Sequence, residues 1–255
     1  VHPATIARGF ALAEDYALNA LEELSIEATD EQILSAIETS LAGKLDQAME
    51  SHLSKLAFDA GKIILKDGRA DPTRVKIIKQ TGGTMKDTTL ITGLALAKSR
   101  IHPEMNERGG AGSILLLDGG LEKRKTQLDT KLNITTPGMI EAFRKAETKG
   151  LISQIENLVE IGCDVLVCKE GVDEEARQAL CDRGILTYRR VEKKDLDLLS
   201  RACGANLVPD AQRATKGDLG SFINTREELR GGVNNWILDA AEGGATLIAR
   251  GSTEG

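Results

Sequence analysis

The chain has 255 residues, 41% hydrophobic and 28% charged, with 33 Lys and Arg against 39 Asp and Glu for a net charge of -6. This is enough apolar material for one large domain or two modest ones, and an acidic balance without a basic stripe argues against nucleic acid or an anionic membrane as partner. No apolar run approaches the ~20 residues of a membrane span and no leader pattern opens the chain, so a cytoplasmic protein is expected.

Residues 3–24 carry Ile6, Phe10, Ala13, Ala17, Leu21 and Leu24 at spacings of three and four, the period of one helical face, with Pro3 suited to the first turn. A second helix is signalled by Thr29 and Asp30 as caps and by the stripe Ile33, Leu34, Ile37 and Leu41, ending near Gly43. A third runs from Leu45 to Ile64. Short links between the three predict antiparallel packing.

After the turn-rich "KDGRADP" the pattern changes. "VKIIKQ" reads as a strand, Gly82-Gly83 as a turn, and "TLITGLAL" as an extended segment interrupted by Gly93. "SILLLDGG" and "QLDTKLNI" are further strand candidates. Thr136 and Pro137 then open a long helix reaching Ile161, with Gly150 between two apolar stripes. Its second half offers Leu151, Ile152, Ile155, Leu158 and Val159 to a sheet, while its first half has only Met139, Ile140 and Phe143. From Asp164 the order is strand, helix, strand, helix ("DVLVCK", "DEEARQALCDRG", "ILTYRR", Lys193 to Cys203), the pattern of parallel βαβ units. "NNWILDAAEGGATLIARG" reads as a hairpin turning at Glu242-Gly243-Gly244.

Motifs for catalysis are missing. The sequence has no GxxxxGK[ST], GxSxG or HExxH, and the glycine-rich "RGGAGS" precedes a strand, where a dinucleotide loop would follow one. Glu174-Glu175 and Glu227-Glu228 are expected on helix surfaces as solvated charge. Cys163, Cys168, Cys181 and Cys203 form no CxxC pair, and the histidines His2, His52 and His102 lie far from them in sequence, so free buried thiols and no metal site are expected, a zinc or redox site being the alternative.

Several segments nonetheless form a familiar series. "VHPATIARGF", "DTTLITG", "VLVCKEGVDEEARQAL", "RGILTYRRVEKKDLDLLSRACGANLV" and "LIARGSTEG" resemble, in order and spacing, the middle of a group II type chaperonin subunit of the thermosome and TCP-1 family. The resemblance implies an α/β fold: an apical domain with a mainly parallel sheet flanked by helices and a helical protrusion, plus a mostly helical intermediate domain. It assigns residues 1–92 and 244–255 to the intermediate domain and 93–243 to the apical domain, with the protrusion at about 128–150. The family's GDGTT-like phosphate motif would precede Val1, and its hydrolytic aspartate would follow Gly255. The chain, which opens without methionine, is therefore expected to be a piece without ATPase activity of its own, ATP and Mg belonging to the full-length parent.

The same resemblance implies the partners: non-native client proteins and neighbouring subunits of a double ring. Met139, Ile140 and Phe143 would form lid contacts, the alternative being a local mini-core with "TQLDTKLNI". The helix carrying Lys193, Lys194, Asp197 and Arg201, beside the loop at Leu121 to Gln127, would face clients, with Leu196 and Leu199 assigned to the core. Gly93, Gly243 and Gly244 would be hinges at the entry to and exit from the apical insertion. The competing expectation is a small-molecule-binding or enzymatic α/β protein with a helical accessory domain, which a pocket of convergent polar groups would favour.

Overall fold

A computed structural model of the chain describes residues 2–105, 107, 109–122, 137–230, 232–240 and 244–252. They divide into two compact units, residues 1–58 and 59–255.

The first unit holds helices α1 (Pro3–Leu24), α2 (Asp30–Leu41) and most of α3 (Gln47–Ile64). Their starts follow local chemistry. Pro3 occupies the first turn of α1, and Thr29 and Gln32 close a reciprocal capping box on α2, with the Gln32 side chain accepting from the Thr29 N–H at 2.9 Å. The expected antiparallel bundle is not formed, because neither α1 nor α2 buries a residue. Phe10, Leu21 and Leu24 on the α1 stripe are 64–78% exposed. The periodicity marked a face able to be buried, and nothing in this unit covers it.

The second unit begins at the last turns of α3. After a two-strand ribbon of β1 (Leu65–Lys66) and β2 (Arg69–Ala70) come β3 (Val75–Thr81), β4 (Thr89–Thr92), β5 (Leu94–Leu96) and β6 (Gly112–Leu117). There follow α4 (Pro137–Ile161), β7 (Val165–Cys168), α5 (Glu174–Asp182), β8 (Leu186–Tyr188), α6 (Lys193–Cys203) and β9 (Leu207–Val208). The chain closes with β10 (Gly220–Phe222), β11 (Asn224–Arg230), β12 (Val233–Asp239) and β13 (Ala245–Ser252).

The central sheet runs β10-β6-β7-β8, with β9 also on β6; all its pairings are parallel except β10 with β6. Consecutive residues Ile114 to Leu117 and Val165 to Cys168 are all buried, as expected of strands covered on both faces. Helices α4, α5 and α6 contribute Leu151, Ile155, Leu158, Ala176, Leu180, Leu196 and Leu199 to that core. Val159, read as part of the packing face of α4, is 48% exposed because it lies off the line of Leu151, Ile155 and Leu158. Tyr188 and Trp236 stack within the same core, ring centroids 4.0 Å apart, and the Trp236 indole N–H donates to Thr225 Oγ1 at 2.6 Å.

Two three-stranded sheets complete the unit, β11-β12-β5 and β3-β13-β4. The expected hairpin of β12 with β13 is absent. Each of these apolar strands is paired along both edges with other partners: β12 lies between β11 and β5, and β13 runs parallel to β3 and antiparallel to β4. An apolar run identifies a buried strand without identifying its neighbours. Ile91, Ala95, Ile237 and Ile248, drawn from both sheets, share one apolar cluster. The last turns of α3 pack Ala60, Ile63 and Ile64 with Val75, Leu90 and Ala245.

Candidate functional site

Helix α6 separates its two sides sharply. Asp195, Leu196, Leu199, Ala202 and Cys203 are buried, whereas Lys193, Lys194, Asp197 and Arg201 are exposed, and Gly204 at φ 72° ends the helix in the left-handed cap that glycine favours. The one buried charge on α6, Asp195, accepts from the Lys76 ammonium on β3 at 2.7 Å. Burial pulls Lys76 below its ordinary value even though the Asp195 carboxylate opposes the shift. Arg201 Nη1 donates to Thr73 Oγ1 at 3.3 Å, so α6 is fastened at two points to the segment entering β3. Between these fastenings lies a cleft of about 440 Å³ whose rim includes Ile77, Lys194, Asp197 and Leu198. Lys194, which lines the cleft, pairs with Glu192 at 2.8 Å, lowering the carboxylate and raising the ammonium.

At the carboxyl end of β6, Leu121 is buried and bridges to Val172, while Asp118 pairs with Lys169 at 2.5 Å. Residues 123–127 of the loop proposed to flank α6 lie outside the described residues.

The backbone of α4 runs without a break over Pro137–Ile161 as the sequence predicts. The side chains of Met139, Ile140 and Phe143, residues 123–136 with "QLDTKLNI" and Thr136, and Gly243 all lie outside the described residues. Gly93 and Gly244 are brought together: the Gly93 N–H donates to the Gly244 carbonyl at 2.7 Å. Thr246 Oγ1 donates to the Gly93 carbonyl at 3.0 Å and accepts from the Ala95 N–H at 2.9 Å.

The two acidic pairs part ways. Glu174 sits on α5 with Arg177 at 2.6 Å, as read. Glu227 and Glu228 are on a strand, β11, and not on a helix; alternation sends Glu227 to the Tyr188 hydroxyl (2.9 Å) and the Arg100 N–H (2.8 Å), and Glu228 to Arg226 and Arg230. Three cysteines are buried as expected, but Cys181 is half-exposed, with His102 Nδ1 3.6 Å from its sulfur. Among the described residues no group of four such side chains converges as in a closed structural metal centre. Among the described residues no helix is long and apolar enough to cross a membrane.

Residues 1–255 match the model of the TCP-1/cpn60 chaperonin family. The thermosome subunit beta of Methanothermobacter thermautotrophicus is 32% identical over 257 residues, and the thermosome subunit of Pyrococcus horikoshii is 32% identical over 263; each match covers 100% of this chain and 48% of the relative. The chain thus spans about half the length of the curated relatives it matches. Among solved structures, the open-state monomer of a group II chaperonin from Methanococcoides burtonii aligns with a TM-score of 0.74 and 28% identity, over 100% of this chain and 60% of that one.

Proposed function

Because the chain belongs to the TCP-1/cpn60 chaperonin family, and its relatives above are of the thermosome, group II type, we propose that it is the intermediate and apical part of a subunit that captures non-native polypeptide in an ATP-dependent folding ring. In this reading residues 93–243 are the client-binding apical domain, 1–92 and 244–255 the intermediate domain, and the protrusion at about 128–150 part of a built-in lid. ATP and Mg act on the parent subunit in the cytoplasm, outside this chain.

The observation that carries the reading is the exposed face of α6. Lys193, Lys194, Asp197 and Arg201 stand in solvent on a helix whose other side is locked into the core. A rigid helix with both signs of charge beside the half-buried Leu198 can engage varied chains without a shaped pocket, which is what capture of heterogeneous clients demands. The β3-β13-β4 sheet supports the domain assignment, since it pairs strands from both sides of the apical segment. Gly93 and Gly244 stand at that junction as the proposed hinge, together with Gly243. The uncovered stripe of α1 would meet the part of the parent outside this chain.

Two charge reversals, Lys193→Glu with Arg201→Glu, should weaken capture of a chemically unfolded client roughly tenfold, equivalent to ~1.4 kcal/mol, with unchanged far-ultraviolet circular dichroism. Equal capture by the folded variant would remove α6 as the client surface. For the lid patch, Ile140→Asp with Phe143→Asp should likewise reduce capture while leaving Trp236 fluorescence as in the parent chain.

A further inference from the structure

We infer that His102, Glu104 and Cys181 form a zinc-class metal site, three protein ligands with a fourth position left to water. The inference is independent of the chaperonin reading, which uses none of the three side chains.

One ligand atom from each of the three lies within 4.8 Å of the others. The imidazole Nδ1 and the thiol sulfur are 3.6 Å apart. A tetrahedral ion with Zn–S near 2.3 Å and Zn–N near 2.05 Å sets its sulfur and nitrogen ligands about 3.5 Å apart, so this pair is already at coordination spacing. The tautomer is the right one as well. The Glu104 N–H donates to Nδ1 at 3.3 Å, so Nδ1 is an acceptor without a proton of its own, the state in which it can also ligate a metal. That bond is long and weak, and an ion would replace it with a stronger one.

The framework around the ligands is fixed. His102 and Glu104 sit in a loop held by the Ile101 N–H to the Thr187 carbonyl at 3.1 Å, the Met105 N–H to the His102 carbonyl at 3.1 Å, and Arg100 Nη1 to the Met105 carbonyl at 2.9 Å. Cys181 is in the last turn of α5. His102 and Cys181 are half-buried, and Glu104 is exposed. A thiolate, an imidazole and a carboxylate together suit Zn(II) better than Mg(II) or Ca(II), which prefer oxygen alone. A thiol that ligates a metal gives up its proton, so forming the metal–sulfur bond releases one proton to solvent. The other three thiols are buried, which makes Cys181 the thiol an ion can reach.

The test uses the whole chain, stripped with a chelator and titrated with Zn(II) against a chromophoric competitor, and separately with Co(II) as a spectroscopic probe. We expect one ion per chain, a thiolate-to-cobalt charge-transfer band, and protection of one thiol from a disulfide reagent by Zn(II). Cys181→Ser should abolish the band, and Cys181→Ser and His102→Gln should each weaken Zn(II) binding by at least about tenfold, no less than loss of an outer-sphere partner costs. Absence of a thiolate band in the unsubstituted chain overturns the assignment without relying on any variant. Zn(II) affinity unchanged in either folded variant overturns it equally.

Discussion

A Cβ on Gly93 would lie 2.3 Å from the Leu238 carbonyl oxygen, and Gly93 sits at φ 101°, in the left-handed region. A Cβ on its hydrogen-bonded neighbour Gly244 would lie 3.5 Å from Leu94, an ordinary contact. Two glycines that look alike in sequence therefore differ in kind. Gly93→Ala should cost at least ~2 kcal/mol, and Gly244→Ala should stay within about 0.5 kcal/mol of the parent chain, as read by urea unfolding through Trp236. Equal midpoints for the two variants would contradict the close approach at Gly93. The same scale explains the errors at Glu227 and Cys181. Residue type and neighbours gave no sign that one carboxylate would accept from Tyr188 and Arg100, or that His102 would arrive from 79 positions away.

At the scale of elements, the helices separate into those that have a partner and those that do not. The limits Pro3–Leu24, Pro137–Ile161 and Lys193–Cys203 were legible because caps, proline and a 3.6-residue period are local signals. Whether a stripe is covered is not local. On α6 the stripe is core, and on α1 it is solvent. An isolated helix of this length is marginal without packing, so α1 amides should exchange with little protection, whereas Leu115 and Val167 should be protected by the global free energy, on the order of 5–15 kcal/mol. Hydrogen exchange followed residue by residue checks this, and core-like protection in α1 would mean that its stripe finds a partner in solution. Strands β10 and β11 escaped the sequence reading because "GSF" is short and "NTREELR" is polar, and only pairing with β6 and β12 makes them strands.

For the whole molecule, acid sensitivity follows from carboxylates held ionised by their partners. Asp71, Asp87, Asp118, Asp218, Glu192 and Glu228 all fall below their ordinary values, through Thr73, Thr84, Lys169, Thr215, Lys194 and Arg226 respectively. Protonating them is harder in the folded than in the unfolded chain. Their stabilisation is therefore complete above the unfolded values of 3.8 for Asp and 4.5 for Glu and is lost as pH falls through the lower native values. Urea midpoints read by Trp236 should be flat from pH 7 to about 5 and decline modestly below ~4, because these groups are exposed or half-exposed; a midpoint that held steady through that range would show that these pairings add nothing to stability. Family, fold class and the limits of the main helices came from the sequence alone, because an ordered series of segments and a hydrophobic period are properties of the chain read in one dimension. The partners of β12 and β13, the sorting of α6 into a buried and an exposed side, and the meeting of His102, Glu104 and Cys181 were decided only by the tertiary structure. Each depends on contacts between distant residues, whose energies act only after the intervening chain has been closed into a loop.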